Sequence, residues 1–348
     1  MVRVRYACIG CGGIANAYHL PALAQVLEAE FVVACDLDEQ RARETAGRFH
    51  AAAHTTDWLG TIARSDVDLV CVFTKVQAHA EIAIAAARAG KHVFIQKPFA
   101  RSVPEGRAMV AAAERAGTRI IPAFMHRYFD ESLLAAQLVR EGAVGRIEFI
   151  RQRNGTRNPR ETVASFGGAM LDIGAHGIDL IRAISGEEIV SVCSRIEDAS
   201  DLPELSDPDA EDERSLLAED LNAFSLYELS SGATVSHEVQ WSEAAGTSRF
   251  QTEVYGTHGT ILVRVPRTGA DLAYFTAADS DRPTGQPVEW VVPDLPRRPM
   301  GLAHHETVIR RVLGGDDTAQ NAEDGLAVLK VCEAARVSQE TGGWADVV

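Results

Sequence analysis

Short apolar strand patterns alternate with helix patterns through residues 1–123, and this alternation limits the possible folds more than any other feature of the sequence. The strand patterns are "VRYACIG", "EFVVACD", "DLVCVFT", "HVFIQ" and "RIIPAF". The helix patterns lie at residues 13–28, Glu39–Phe49, "AHAEIAIAAARAG" and Val103–Ala116. Regular β-α alternation predicts an α/β Rossmann domain, in which right-handed crossovers join a doubly wound parallel sheet.

The first strand pattern runs into "GCGGIA", which predicts a dinucleotide-binding loop. Gly10, Gly12 and Ala15 fit the G-x-G-x-x-A spacing between a strand and a helix. In this motif the first glycine allows a tight turn and the second lets the backbone approach a pyrophosphate, while the small third residue permits close helix packing. We expect Gly13 and Ile14, which complete the loop, to contact the cofactor as well.

Asp36 ends the second strand pattern and predicts which dinucleotide is bound. A carboxylate at this position hydrogen-bonds the ribose hydroxyls and repels a 2′-phosphate, which favours NAD. Leu37 follows, where an NADP enzyme often carries a basic residue. Arg41 and Arg43 lie further along and could meet a 2′-phosphate. NADP therefore stays open as the less favoured cofactor, and so does an α/β domain without a cofactor.

Two residues at strand ends indicate where the site would lie. Ligands of open α/β sheets bind outside the carboxyl ends of the strands. Thr74 ends one strand pattern, and Gln96 and Lys97 follow another in "HVFIQKPFA". Pro98 disfavours helical dihedrals at Lys97, so the backbone there should stay extended. We therefore expect Thr74 and Lys97 to face the cofactor crevice.

The second half of the sequence has a different pattern and predicts a second domain. Strand patterns with few helices between them run from "GRIEFIRQR" to "GTILVRV", and two helix patterns close the chain. Such a run is typical of a largely antiparallel sheet. We predict a Rossmann domain at residues 1–123 and an α+β domain at residues 124–348. Residues 197–220 contain eleven acidic residues and one basic residue, which predicts a solvated insertion between two strands.

One helix pattern, "GGAMLDIGAHGIDLIRAISG", carries a candidate acid–base pair. Asp172 and His176 are four residues apart, so they share one helix face. A carboxylate beside an imidazole orients the ring and favours its protonated form, as general acid–base work requires. A histidine on a helix is more often a satisfied polar contact, so the residues alone leave both interpretations open.

The composition argues against several classes of partner. The net charge is −15, so we expect neither nucleic acid nor an anionic membrane surface. We find no apolar run of about 18 residues and no leader pattern, and we expect a cytoplasmic protein. The six scattered cysteines do not resemble a disulfide framework. Cys8 and Cys11 have C-x-x-C spacing, but they fall in the first strand and the glycine loop, so we expect no redox pair. No metal site is predicted.

Taken in their order, these motifs resemble the family of glucose–fructose oxidoreductase, inositol dehydrogenase and MocA-type enzymes. The resemblance covers nearly the whole chain and consists of "GCGGIA", "DLDEQRA", "VFTKVQAHAEIAIAAARAGKHVFIQKP", "GGAMLDIGAHGIDLI", "FQTEVYGTHGTILV" and "DGLAVLKVCEAARVSQETGG". It implies NAD-dependent oxidation of a secondary hydroxyl of a sugar, cyclitol or sugar derivative, or the reverse reduction. It also implies that the second domain binds the substrate and joins chains into a homodimer or homotetramer.

The resemblance assigns roles to three residues. Lys97, Asp172 and His176 match the family's catalytic lysine, aspartate and histidine. His176 would be the general base, Asp172 would orient it, and Lys97 would stabilise the developing alkoxide. The motifs and the resemblance together give the expected cofactor contacts: Gly10, Gly12, Gly13, Ile14, Ala15, Asp36, Leu37, Thr74, His79, Gln96, Lys97 and Arg127. The expected substrate contacts are Lys97, Arg127, Asn154, Asp172, His176 and Trp241, with His126, Arg153, Arg157 and His237 as weaker candidates.

The sequence departs from the family pattern at three places, and Gln96 together with the acidic insertion leaves a non-enzymatic function open. Gln96 stands where the family has glutamate, Lys75 and Val76 replace the usual Pro-Asn, and Ala169 replaces a third glycine. One alternative is a sugar-sensing protein that retains NAD without turnover. Another is a hydrolase or lyase that oxidises a sugar transiently.

Overall fold

The strand patterns of the first half form one parallel sheet in the computed structural model, which describes residues 2–159, 162–163, 166–198, 220–243, 248–266, 272–276, 289–296, 298–315 and 320–348. Its strands are β1 Val4–Ile9, β2 Ala29–Cys35, β3 Ala53–Thr55, β4 Leu69–Val72, β5 His92–Ile95 and β6 Ile120–Pro122. They lie in the order β3-β2-β1-β4-β5-β6, and each pairing among these described strands is parallel. The predicted Rossmann sheet is confirmed. Strand β3 was not predicted from the sequence, because its three residues do not form an apolar run.

Local capping signals explain where most helices of this half begin and end. The helices are α1 Leu20–Leu23, α2 Glu39–Phe49, α3 Trp58–Ala63, α4 His79–Arg88 and α5 Val103–Ala116. The Asp38 carboxylate accepts the Arg41 N–H at the start of α2, and Ser102 does the same for Glu105 at the start of α5. Gly117 ends α5 in a left-handed conformation, as C′ glycines do.

The helix predicted over residues 13–28 is wrong in type and in length. Ala15–His19 is a π-helix, and α1 follows it for only four residues before a turn. Pro21 gives a physical reason, because it lacks the N–H that an unbroken α-helix would donate to the carbonyl four residues earlier. Such a gap in the hydrogen-bond ladder favours a local change of helix type.

The second half forms a largely antiparallel sheet, as predicted. Its strands are β7 Ile147–Gly155, β8 Ile189–Asp198, β9 Asp220–Leu229, β10 Thr234–Gln240, β11 Ser248–Gly256, β12 Gly259–Pro266, β13 Leu272–Thr276 and β14 Ala345–Asp346. Within the described part of the chain their order is β13-β12-β11-β7-β10-β9-β8-β14. Strands β7 and β10 pair in parallel, and the other pairings are antiparallel.

Helices of the second half are α6 Asp130–Arg140, α7 Ala175–Ser185, α8 Leu302–Val312 and α9 Ala322–Thr341. A π-helix over Met170–Gly174 leads into α7 without a break. Helix α7 is buried on nearly all sides because it packs against both α6 and β7. We see no described helix with the length and apolar character needed to cross a membrane.

The acidic segment differs at both ends from the predicted solvated insertion. Glu197 and Asp198 are the last residues of β8, and Asp220 is the first residue of β9. These carboxylates therefore belong to paired strands, and Asp220 is fully buried. Residues 199–219 lie outside the described residues.

The chain divides into two compact units, and the first takes in a late segment of the sequence. The first unit comprises Met1–Tyr128 and Arg298–Leu329, and the second comprises Phe129–Arg297 and Lys330–Val348. The division predicted after residue 123 therefore differs by five residues, and α8 lies with the Rossmann sheet. The physical reason is burial, because Val308 and Ile309 of α8 belong to the apolar core formed by β1, β2 and β4.

Three buried histidines pack within this first unit. His19 comes from the π-helix, and His304 and His305 come from α8; the side chains of all three are shielded from solvent. The His19 ring stacks on Phe73 with ring centroids 4.0 Å apart, and the Tyr128 ring stacks on His304 at 4.5 Å. We call His19, His304 and His305 the histidine cluster.

Hydrogen bonds indicate the proton positions of two members of the histidine cluster, His305 and His19. His305 Nδ1 donates to the Gly301 carbonyl oxygen at 2.7 Å, so Nε2 of the neutral ring accepts from His19 Nδ1 at 2.9 Å. His19 Nε2 and His304 Nε2 have no hydrogen-bond partner among the described residues. Burial lowers the pKa of all three histidines, to about 4 for His305.

We expect the histidine cluster to make the first unit acid-sensitive. An unfolded histidine takes up a proton below about pH 6.5, whereas the folded cluster resists protonation, so stability is lost as the pH falls from about 6.5 toward 4. His304→Phe keeps an aromatic ring without a titrating group. Thermal unfolding at pH 7.5 and pH 5 gives the loss in the free energy of unfolding on acidification. This loss should be smaller for His304→Phe than for the wild type, by a difference on the order of 1 kcal/mol. The exposed His54→Phe variant should lose as much as the wild type, and an equal loss in His304→Phe would contradict the explanation.

Candidate active site

The glycine loop after β1 depends on close contact with the end of β4. Gly10 has φ +95°, and a Cβ placed on it would lie 2.7 Å from the Phe73 carbonyl carbon and 2.8 Å from the Thr74 backbone nitrogen. Only glycine fits this position. A Cβ on Gly12 or Gly13 would meet no described atom within 4 Å, so their backbone borders open space. That space is where a pyrophosphate would approach the loop.

Asp36 binds the glycine loop from the end of β2. Its carboxylate accepts the Cys11 N–H at 2.7 Å and the Asp38 N–H at 3.0 Å, and Arg41 Nη1 lies 3.4 Å away. A carboxylate can accept about four hydrogen bonds, so capacity remains for ribose hydroxyls. Open glycine backbone beside an acidic residue fits NAD. Leu37, the next residue, is 90% exposed.

His79 links the carboxyl ends of β4 and β5. Its ring is fully buried, with Nδ1 2.8 Å from the Pro98 carbonyl oxygen and Nε2 3.2 Å from the Thr74 carbonyl oxygen. Burial lowers the pKa of His79. In the neutral ring the shorter contact, from Nδ1 to Pro98, carries the donated proton. His79 therefore fixes two strand ends relative to each other, and direct contact with a cofactor stays a prediction.

Gln96 and Lys97 form the end of β5. The Gln96 side chain folds back so that its Oε1 accepts the Lys97 N–H at 2.7 Å, and the Lys97–Pro98 peptide bond is cis. Lys97 is half-buried, while Gln96 is buried. The backbone at Lys97 is thus held by its neighbour's side chain, at the strand edge where α/β sheets bind ligands.

Arg127 lies in a short 3-10 turn, Met125–Tyr128, that follows β6. Its guanidinium Nη2 is 3.5 Å from the Asp324 carboxylate, and both side chains are largely buried. His126 in the same turn is 7% exposed. The ion pair holds Arg127 within the first unit, and its predicted contacts with cofactor and substrate stay predictions.

The predicted acid–base pair lies on one helical segment of the second unit. Asp172 is in the π-helix and is 6% exposed, and His176 is in the first turn of α7 and is 5% exposed. Gly167 and Gly168 precede the segment with φ +85° and +89°, which only glycine adopts readily. Single π-helical turns within α-helices are frequent at functional sites. The structure thus brings Asp172 and His176 together on neighbouring turns with little solvent around them.

A buried hydrogen-bond chain lies against the turn that carries His176. His237 Nδ1 is 2.8 Å from the Tyr227 hydroxyl, and His237 Nε2 is 2.7 Å from Asn154 Oδ1. A Cβ on Gly177 would lie 2.2 Å from Asn154 Oδ1, so only glycine lets α7 approach this closely. Asn154 and His237 are fully buried, and burial lowers the pKa of His237 to about 3. Their direct contact with substrate stays a prediction.

The remaining substrate candidates make contacts within the second unit. The Trp241 ring is fully buried and its Nε1 donates to the Pro159 carbonyl oxygen at 2.9 Å. Arg153 forms ion pairs with Glu238 and Glu243. Arg157 lies in an isolated bridge with Ser242. These contacts give each residue a structural role beside the predicted one.

Two polar residues near the acid–base pair were missed by the sequence analysis. The Asp220 carboxylate accepts the Met170 N–H at the start of the π-helix and pairs with Arg336. In the sequence Asp220 is the last member of an acidic run, and charge alone does not distinguish a buried carboxylate from its solvated neighbours. The signal that could have indicated its burial is the strand pattern "LNAFSLYEL", which begins directly after it.

Comparison with known proteins places the chain in a family. The profile described as "Oxidoreductase family, NAD-binding Rossmann fold" matches residues 4–124, and the profile "GFO/IDH/MocA C-terminal domain" matches residues 133–262. Together these profiles cover more than half of the chain.

Similar proteins include dehydrogenases matched over most of their length. Levoglucosan dehydrogenase of Pseudarthrobacter phenanthrenivorans is 27% identical over 90% of this chain and 89% of its own. Inositol 2-dehydrogenase 3 of Saccharopolyspora erythraea is 33% identical over 76% of this chain and 75% of its own. A structure of levoglucosan dehydrogenase in complex with NADH and levoglucosan matches with a TM-score of 0.83 over 99% of both chains, at 24% identity, which supports the fold.

These matches confirm three predictions made from the sequence. The fold is a Rossmann domain with a second, largely antiparallel sheet, the cofactor is NAD, and the protein is a dehydrogenase acting on CH–OH groups. The chain belongs to the GFO/IDH/MocA oxidoreductase family.

Proposed function

We propose that this protein oxidises a secondary hydroxyl of a sugar or cyclitol with NAD, or catalyses the reverse reduction, and that Lys97, Asp172 and His176 handle the proton and the substrate. The observation that carries the proposal is the placement of Asp172 and His176 on adjoining turns, both about 95% buried. The similarity to levoglucosan and inositol dehydrogenases supports the substrate class.

His176 is the general base of the proposed reaction. An imidazole nitrogen of His176 accepts the hydroxyl proton as the C–H bond breaks, and Asp172 orients the ring and stabilises the imidazolium that forms. Burial of both side chains strengthens this interaction, since the local dielectric is low. Bound NAD supplies the hydride acceptor.

Lys97 is the electrostatic partner of the oxygen that loses its proton. Its ammonium is a compact positive charge that stabilises a developing alkoxide. The hydrogen bond from the Lys97 N–H to Gln96 Oε1 fixes the backbone from which the side chain extends. A fixed backbone reduces the reorganisation needed when charge develops.

The proposed roles predict a loss of turnover that is much larger than any loss of cofactor binding. Lys97→Ala and His176→Ala should each lower kcat by about 10²–10⁴-fold on the preferred substrate, because each removes a group that acts on the reacting hydroxyl. The measurement is NADH formation against a panel of sugars and cyclitols that includes levoglucosan and inositols, with NADH affinity measured by fluorescence titration.

Lys75→Ala and His54→Ala, which change exposed residues of the same types, are the matched controls and should retain wild-type kcat. Wild-type turnover in Lys97→Ala and His176→Ala would remove the assigned roles. Product formation without net NADH would instead indicate transient oxidation of the sugar.

Gly177→Ala should lower kcat although it adds a single methyl group. The new Cβ would overlap Asn154 Oδ1 and His237 Nε2, which are held in a buried hydrogen-bond chain, so either this chain or the turn that carries His176 must move. Overpacking of this kind costs about 1–3 kcal/mol of stability, and a shift of about 1 Å in a catalytic group can cost about 10²-fold in rate. Steady-state kinetics and melting temperatures provide the test. Gly47→Ala, at an open helical position, should leave kcat unchanged and stabilise by about 0.5–1 kcal/mol. Equal kcat in the two variants would contradict the assignment.

Asp36→Asn should weaken NADH binding and reduce discrimination against NADPH. The amide loses the charge that repels a 2′-phosphate and accepts fewer hydrogen bonds from ribose hydroxyls. Fluorescence titrations with both reduced cofactors give the two affinities. Asp38→Asn is the control because asparagine also caps α2, and its affinity ratio should match the wild type. An unchanged ratio in Asp36→Asn would argue against ribose recognition by Asp36.

A further inference from the structure

The helical segment that carries the acid–base pair begins without a local cap. Gly167 and Gly168 precede it with positive φ, and no side chain at its own N-cap accepts a hydrogen bond in the described structure. The first backbone N–H groups of a helix need partners from elsewhere. The N–H of Met170, two residues before Asp172, therefore needs an acceptor that the local sequence does not supply.

Asp220 supplies this acceptor from a distant strand. Its Oδ2 accepts the Met170 N–H across 50 residues of sequence, and its Oδ1 accepts from the Arg336 guanidinium of α9. The Cys332 thiol, also from α9, lies 3.9 Å from the Met170 carbonyl oxygen and donates to it. Side chains from other elements thus hold both polar groups of the Met170 backbone.

The π-helix packs against the central strands of the second sheet. It contacts β7, β9 and β10. Asp220 is the first residue of β9 and is fully buried, whereas the Arg336 side chain is partly exposed. The carboxylate therefore lies between the helical segment and the charged end of Arg336.

Stability alone does not explain a charged group at this position. Burial raises the pKa of Asp220, because desolvation outweighs the attraction of Arg336. Buried ion pairs are often replaced by apolar residues with little loss of stability. What an apolar residue does not provide is a directional acceptor for the Met170 N–H.

We propose that Asp220 is a positioning residue that fixes the turn carrying Asp172 and His176, with Arg336 holding the Asp220 carboxylate in place. This inference rests on the proposed function, since it assumes that Asp172 orients His176. Without the acceptor the first helical turn frays, and the backbone that sets the direction of the Asp172 side chain is no longer fixed. His176 then loses its orienting carboxylate while its own helix, α7, remains packed between α6 and β7.

The kinetic test compares Asp220→Ala with Asp220→Asn in the full chain. Asp220→Ala removes the acceptor, so kcat should fall by about 10–100-fold, because a shift of about 1 Å in a catalytic group can cost about 10²-fold in rate, while KM and NADH affinity change little. Asp220→Asn keeps an oxygen that accepts the Met170 N–H, so it should restore most of the lost kcat. Asp198→Ala, which removes the carboxylate opposite Asp220 on β8, is the matched control and should retain wild-type kcat.

A second readout follows the His176 imidazole itself. NMR titration of the chain with labelled histidine, assigned with His176→Ala, gives the midpoint of His176 protonation without any turnover. Asp172→Asn should lower this midpoint because a paired carboxylate favours the imidazolium, and Asp220→Ala should lower it in the same direction. A purely structural role would lower the melting temperature and leave both kcat per folded chain and the His176 midpoint unchanged, and that result would overturn the proposal.

Two outcomes remain informative when a variant or an assumption fails. If Asp220→Ala does not fold, Arg336→Met replaces it in the test, because a partly exposed side chain is easier to substitute. We then expect smaller decreases in kcat and in the His176 midpoint than for Asp220→Ala. An unchanged midpoint and kcat in Arg336→Met would then overturn the proposal. If His176→Ala keeps wild-type turnover, the proposed function fails, but the comparison of His176 midpoints in Asp220→Ala and Asp172→Asn still decides whether Asp220 positions this turn.

Discussion

Within each unit, the candidate site residues depend on side chains that satisfy backbone polar groups where strands and helices end. Parallel strands and helices leave unpaired N–H and C=O groups at their ends, and the candidate site residues lie at those ends. Asp36 accepts the N–H of the glycine loop, His79 joins the ends of β4 and β5, and Asp220 accepts the first N–H of the π-helix. Each of these side chains reaches at least 19 residues along the sequence. The functional loops are therefore fixed by directional bonds in addition to the apolar packing of residues such as Cys11 and Ala15.

Close backbone approach at two glycines complements these bonds. Gly10 brings the glycine loop against the end of β4, and Gly177 brings α7 against Asn154 and His237. A hydrogen bond forms only when donor and acceptor lie about 3 Å apart. Because these two glycines have no Cβ atom, the backbone comes close enough for the nearby polar groups to form such bonds. In both units glycine sets the distance, and a polar side chain then fixes the orientation.

The sequence predicted elements whose signals are local. Strand and helix alternation, the glycine loop, Asp36 at the end of β2, and Asp172 with His176 on one helical segment all follow from short spacings. It missed features that depend on distant partners. Asp220 appeared as part of a solvated acidic run because its burial is set by Met170 and Arg336, and α8 was assigned to the second domain because only packing shows where its apolar face is buried. The π-helix at Ala15–His19 was predicted as part of a regular α-helix, because the spacing of its apolar residues fits both helix types.

Gln96 shows how a departure from the family pattern can keep one property and change another. Its Oε1 accepts the Lys97 N–H, a bond that the expected glutamate would make equally well through one carboxylate oxygen. The two residues differ in the second polar atom, which is a charged acceptor in glutamate and a neutral donor in glutamine. The Gln96 side chain therefore holds the backbone at Lys97 without placing a negative charge beside it. If a ribose hydroxyl binds beside Gln96, as predicted, the amide would donate to it where a glutamate would accept from it. We therefore expect the difference to affect recognition around Lys97 more than the position of the Lys97 backbone.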